Sequence, residues 1–326
     1  MDSETLHTAV VNAVADGLEF AQRHLLHGDR TLLADSWSPG DLPADERERL
    51  LQLLISQQDF SEAEVARHLG EAPIPADRRT HLMIVDSLRQ HFPHCYVVGE
   101  EASDNEWDAA VDAPQSSLIF QIDAIDGSLP YDSLTFGFSV NLLAFERGPG
   151  FARDKLLLAA VINSSGFLAL YEQGLGASIG TPTELTLTTE PLDDEFRIDS
   201  VAALGALPRH RSLISGILRD DALTIFTTAG APAAMGLIAG RLAVLVATKP
   251  QTLHDAAFLP IVAALGIPIL VDGGVVLGMG DVEQLFSSVA RKRTDREAHP
   301  IPRFVVARNP VVGATLARTL FSEQGS

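Results

Sequence analysis

Apolar residues at positions 6, 10, 14, 18, 21 and 25 recur at threes and fours, and this spacing predicts a long amphipathic helix over residues 2–27. Asp2 or Ser3 can cap it, and Glu4 lies in its first turn. His24 and His27 come near its end, where an imidazole suits the helix dipole; no third ligand stands near them to make a metal site. After a loop with Pro39, Gly40 and Pro43, helical spacing returns over 44–58 and over 61–69, the second opened by a Ser61-x-x-Glu64 capping box. Prolines break the pattern at 70–75. A further helix follows with Asp77 in N-cap position, Leu82, Met83, Val85 and Leu88 as its buried face, and an end near His91.

The period then changes. Short strands are predicted at 95–98 and 118–122, and an antiparallel series at 138–145, 155–162 and 167–171, with turns at 148–150 and 163–166. The glycines at 174, 176 and 180 lack the spacing and the strand-then-helix setting of a dinucleotide loop, so they read as a hairpin turn. Residues 181–194 are polar and contain Pro182 and Pro191, which marks a boundary between a region 1–190 and a region 191–326. In the second region strands (196–204, 223–227, 242–247, 267–271, 304–308) alternate with helices (208–219, 231–239, 256–265, 310–321). His254 and Asp255 stand at the head of the apolar helix 256–265, Asp255 as its cap. The whole predicts a mixed α/β protein with no solenoid repeat.

Composition narrows the function. A net charge of −19 argues against a nucleic-acid surface, because phosphate backbones are held by clustered Lys and Arg. It does not exclude a small phosphorylated ligand, since bound cations can reverse the local sign. Cys95 is the single cysteine, so neither a disulfide framework nor a thiolate metal cluster is expected. The longest apolar run, 256–271, is short for a bilayer and holds Pro260 and Pro268; with no signal-type segment at the N-terminus, the expectation is a cytoplasmic, soluble protein without a membrane partner.

The candidate chemistry centres on Asp123-Ala124-Ile125-Asp126-Gly127-Ser128. An apolar strand ends there in two carboxylates three residues apart, followed by a glycine that can turn the chain and a hydroxyl suited to a helix N-cap. Carboxylate oxygens suit a hard cation, and helix N–H groups suit an anion. Such a motif also occurs in plain solvated turns. The strand at 95–98 likewise runs into acids, Glu100 and Glu101, and acids gathered at neighbouring strand ends form one site from remote parts of the chain.

Three motifs in order, Gly99-Glu100-Glu101, Asp123 to Ser128, and His254-Asp255-Ala256-Ala257, resemble the GEE, DPIDGT and WDxAAG signatures of the inositol monophosphatase family, in the fold group of fructose-1,6-bisphosphatase. Asp77 matches an aspartate on the helix before GEE, and residues 303–309 are similar to the family's late strand and last helix; the resemblance spans about residues 70–322. It implies a layered αβαβα fold and a Mg²⁺-dependent phosphomonoesterase, usually a homodimer, with two or three ions. Glu100, Asp123, Asp126, Asp255 and the carbonyl of Ile125 would be the metal ligands. Gly127 and Ser128 would meet the phosphate, and the Ser128 hydroxyl with Asp77 or Glu100 would orient and deprotonate the attacking water.

The departures lie in the substrate-selecting part. Ala124 replaces the motif's Pro, and His254 replaces the Trp, as a packing residue, a supporting donor or a substrate contact. Ala231-Pro232-Ala233 replaces the Gly-x-Ala turn that meets substrate hydroxyls. No acid stands near Thr248 and Lys249 where the family holds the inositol ring; Lys249 would suit a second phosphate or a carboxylate, or is a solvated loop lysine. The expected substrate is therefore a small sugar, cyclitol or amino-alcohol phosphate other than inositol phosphate. Alternatives are a 3′-phosphoadenosine nucleotidase or sugar bisphosphatase, a non-catalytic binder of phosphorylated ligands, and a metal-free glycosidase using Asp123 and Glu100.

Overall fold

A computed structural model describes residues 3–25, 75–99, 101–126, 137–149, 154–191, 200–204, 224–228, 230–287 and 300–322. The expected helices at 44–58, 61–69 and 208–219 lie outside these residues. Helix α1 (Ser3–Leu25) and helix α2 (Pro75–His91) pack side by side. Pro75 begins α2, so Asp77 is in its first turn and does not cap it. That position still favours a carboxylate, because the helix N-terminus carries partial positive charge. The buried face of α2 also differs from expectation. Leu82 and Met83 are exposed, and Asp77, Thr80, His81, Ile84, Val85, Ser87 and Leu88 are buried. Residues 77, 81, 84 and 88 share one stripe at helical spacing, and Leu82 and Met83 fall outside it.

Seven strands then form a sheet in sequence order: β1 (Tyr96–Gly99), β2 (Leu118–Asp126), β3 (Ser139–Glu146), β4 (Lys155–Asn163), β5 (Leu168–Glu172), β6 (Gly176–Thr181) and β7 (Glu184–Thr188). Only β1 and β2 are parallel; from β2 onward the sheet is an antiparallel meander. The polar residues after 181, expected as a boundary, include β7, the exposed last strand of this sheet. Between β1 and β2 stands helix α3 (Asp104–Val111), started by a capping box in which Ser103 and Glu106 satisfy each other's backbone N–H groups.

The second half of the chain builds a six-stranded sheet in the order β12-β11-β13-β10-β8-β9, from β8 (Ser200–Leu204), β9 (Thr224–Thr228), β10 (Val244–Ala247), β11 (Ile269–Leu270), β12 (Val276–Leu277) and β13 (Phe304–Ala307). Its helices are α4 (Gly230–Ile238), α5 (Leu259–Ala264), α6 (Met279–Phe286) and α7 (Pro310–Ser322). The predicted helix 256–265 is shorter than its apolar run: residues 253–258 are successive turns, with Ala257 N–H bonded to His254 O and Leu259 N–H to Ala256 O. Asp255 therefore lies within a turn, not at a helix cap.

Side-chain alternation sorts these elements into layers. On β2, Phe120, Ile122 and Ala124 face α1 and α2, in a cluster with Val10, Val14, Ile84 and Leu88. Ile119 faces the other way, with Leu143 and Phe145 of β3, into a larger cluster holding α4, α5, α6 and the inner side of the second sheet. Val244, Val246, Val305 and Ala307 point out of that second sheet onto Leu316, Ala317 and Leu320 of α7. The order is helix, sheet, helix, sheet, helix: the expected αβαβα arrangement. Helix α4 is apolar on all sides because it lies between two sheets.

Candidate active site

The inner face of β2 carries Gln121 and Asp123, two residues apart and so on the same side of the strand. Normal alternation would turn Asp126 to the opposite face. The register prevents this: Asp123 pairs with Asn141 and Asp126 with Ser139, three residues on β2 against two on β3. This one-residue bulge brings both carboxylates to one face. The strand thus runs through the acidic motif instead of ending before it, and the bulge is what gathers the acids.

Asp126 is a bracket between layers. Its Oδ2 accepts from Ala231 N–H at 2.7 Å, at the start of α4, and from Asn141 Nδ2 at 3.3 Å. A carboxylate on the N-terminal turn of a helix satisfies an N–H group that has no intrahelical partner. Asn141, fully buried, also donates Nδ2 to His254 O at 3.4 Å, and Ser139 Oγ donates to Asn141 Oδ1 at 2.8 Å. The Ser139 bond fixes which end of the amide points at Asp126. Gly230 permits the close approach: a Cβ there would meet Asp255 O at 2.7 Å.

Opposite Asp123, the turns at 253–258 present His254 and Asp255, with Asp255 N–H bonded to Thr252 Oγ1 at 3.2 Å. One ligand atom from each of Asp123, His254 and Asp255 lies within 4.8 Å of the others. Asp123 and His254 are buried, and the Asp255 side chain is about a third exposed, at 34%. The cluster therefore has a buried floor and one side open to solvent.

Of the other predicted residues, Ile125 is buried on β2, and Glu100, Gly127 and Ser128 lie outside the described residues. The neighbours of Glu100 are firmly held. Gly99 O accepts from Trp107 Nε1 at 3.1 Å and from Ala102 N–H at 3.2 Å, and Glu101 O accepts from Arg78 Nη1 at 2.5 Å. Gly99 lies against β2, where a Cβ would meet Ile122 O at 2.2 Å. Asp77 is buried at the start of α2, beside Arg78. Lys249 is exposed, and the Ala233 side chain is wholly buried in the core, which leaves it no surface for a ligand. Gln121, Asn141 and Gly230 were not singled out from sequence. The signal for Asn141 was there, as Ser139 and Asn141 are polar residues on one face of a strand that is apolar from Leu142 to Phe145.

One turn along α2 from Asp77, His81 is completely buried, and burial, with Arg78 nearby, pushes its pKa down to about 4. Glu106 is lowered. Its burial acts the other way, but the Ser103 N–H and hydroxyl and the Arg78 charge outweigh it.

No protein-family model and no curated protein sequence matches this chain. Solved structures do match its fold. CysQ from Bacteroides thetaiotaomicron, described as a bacterial member of the inositol monophosphatase family, superposes with a TM-score of 0.54 at 16% identity, covering 93% of this chain and 97% of that one. Inositol monophosphatase II from Staphylococcus aureus gives 0.52 at 14% identity over 98% and 94% of the two chains. An IMPase from Thermotoga maritima gives 0.50 at 18% over 77% and 83%.

Proposed function

Starting from the inositol monophosphatase fold that the chain possesses, we propose that it is a divalent-cation-dependent phosphomonoesterase acting on a small phosphorylated metabolite. The observation that carries this reading is the convergence of Asp123 and Asp255, from opposite halves of the chain, within ligand distance of each other. Two carboxylates this close repel, and the buried one loses hydration as well; a divalent cation relieves both penalties. The donor set therefore fits such an ion. Asp123 and Asp255 would hold it, joined by the Ile125 carbonyl and by Glu100, and Asp126 would shape the site through Ala231 and Asn141. Oxygen donors of this kind suit Mg²⁺. When bound, the ion supplies neutralisation of the phosphate charge and a lowered pKa for water.

The chain's own residues do the rest. Gly127 and Ser128 would present N–H groups to the phosphate. Asp77 or Glu100, with the Ser128 hydroxyl, would accept the proton of the attacking water. Attack by water in line with the leaving oxygen needs no covalent phosphoenzyme. By the resemblance, the ring-holding acid of the inositol enzymes would fall near Thr248 and Lys249, where this chain has no acid, and this favours a substrate with a further anionic group near Lys249. The test is phosphate release from a panel of inositol phosphates, sugar mono- and bisphosphates, histidinol phosphate and 3′-phosphoadenosine phosphate, with Mg²⁺ and with EDTA. Turnover of one class, lost in EDTA, is the expected result. No release from any of them counts against the enzyme reading and for a protein that only binds phosphorylated ligands.

A further inference from the structure

We infer that His254 is itself a cation ligand, through Nε2, and that the site consequently favours a transition-series divalent cation such as Mn²⁺ or Zn²⁺ over Mg²⁺. This rests on the cation site proposed above and names the class of ion it holds. Three observations carry it. The imidazole stands inside the acidic cluster, with a ligand atom within 4.8 Å of both Asp123 and Asp255. Its Nε2 lies 3.6 Å from Asp255 Oδ1, beyond hydrogen-bond length but close enough for one ion to bridge the pair. The other nitrogen, Nδ1, lies 3.3 Å from Nε2 of the Gln121 side-chain amide, which shares a strand face with Asp123 and is itself buried.

A half-turn of the Gln121 amide, which exchanges Nε2 for the oxygen, gives the arrangement a ligating histidine needs. Such a histidine uses one ring nitrogen as ligand and gives the N–H of the other to a fixed acceptor, which sets both tautomer and ring plane. The Gln121 amide has a donor end and an acceptor end, exchanged by a half-turn. With its oxygen toward Nδ1–H, Nε2 is left with a free lone pair on the Asp255 side. Asn141 adds a second restraint by donating to the His254 carbonyl. A packing replacement for an aromatic ring needs neither of these bonds. Imidazole nitrogen is a poorer partner for Mg²⁺, which demands oxygen and water, than for Mn²⁺, Co²⁺ or Zn²⁺. One nitrogen among carboxylates therefore shifts preference without abolishing Mg²⁺ binding.

The experiment is pulsed electron paramagnetic resonance on the full-length protein loaded with one equivalent of Mn²⁺, read for ¹⁴N coupling. Mn²⁺ and Mg²⁺ binding isotherms accompany it for the parent, His254→Gln and Asp123→Asn. The expected results are a directly coordinated ¹⁴N in the parent, its loss in His254→Gln, and a drop in Mn²⁺ affinity of at least about tenfold with Mg²⁺ affinity changed by less than about threefold. The parent spectrum needs no variant to fold, so it decides alone if His254→Gln is unstable. Mn²⁺ binding that requires Asp123 but shows no ¹⁴N coupling overturns this inference and leaves the cation site standing. Mn²⁺ binding indifferent to Asp123→Asn overturns both.

Discussion

His81 shows at the residue scale how a single buried group sets a pH response. Among the described residues neither ring nitrogen has a hydrogen-bond partner, and burial holds its pKa at about 4, against about 6.5 for an ordinary histidine. The folded protein therefore keeps it neutral where the unfolded chain takes up a proton. Between these two values the unfolded state binds more protons, so stability is fully present above pH 6.5 and is lost as pH falls toward 4. The part due to His81 is about 3 kcal/mol. His81→Leu should flatten that portion of the stability profile, measured by urea unfolding between pH 7 and pH 4. An unchanged slope would mean that the imidazole is not held neutral. Sequence singled out Asp123, Asp126 and Asp255 because carboxylates stand out in apolar runs, but it expected element junctions where Asp123 lies inside β2 and Asp255 inside a turn. It gave no hint of His81, since a histidine in a helical pattern looks the same on either face.

At the scale of elements, the bulge in β2 gathers the acids of the motif on one face, and the segment after β1 is anchored. Helix α3 is the clamp on that segment: Trp107, buried on it, donates to Gly99 O. Its start depends on Ser103, whose Oγ accepts from Glu106 N–H while the Glu106 carboxylate accepts from Ser103 N–H. Ser103→Ala should destabilise the protein by about 1 kcal/mol, seen as a lower urea midpoint. It should also reduce turnover, because it loosens the chain on which Glu100 is carried. A loss of stability with full turnover would show that α3 does not position this segment. The Ser103-x-x-Glu106 signal is legible in the chain but sits in a polar stretch whose helix has few apolar positions. The bulge was not legible, because an extra residue in a strand leaves no mark on hydrophobic pattern when the residues involved are Ala124 and Ile125. Residues 256–258 misled for the opposite reason: a continuous apolar run reads as helix, whereas here burial between two sheets, not helical period, demands it.

For the whole molecule, the layers are what make two remote carboxylates into one site. Asp123 comes from the seven-stranded sheet and Asp255 from the turns leading into α5; the shared apolar cluster between the sheets holds the two halves in register. The alternation of strands and helices, and the three motifs in order, made this layering readable before any coordinates. Which residues link the halves was not readable, because Gln121 and Asn141 meet His254 across 133 and 113 residues of sequence. Among the described residues no helix is long and apolar enough to cross a membrane. The most direct test of the central claim is phosphate release by protein stripped with EDTA and then titrated with Mg²⁺ or Mn²⁺, comparing the parent with Asp123→Asn. The account predicts that added cation restores the parent and that the variant stays lower by about a hundredfold or more, while unfolding in EDTA at or above the parent midpoint because charge repulsion is relieved. A variant that hydrolyses substrate at the parent rate, or a parent that needs no cation, would contradict it.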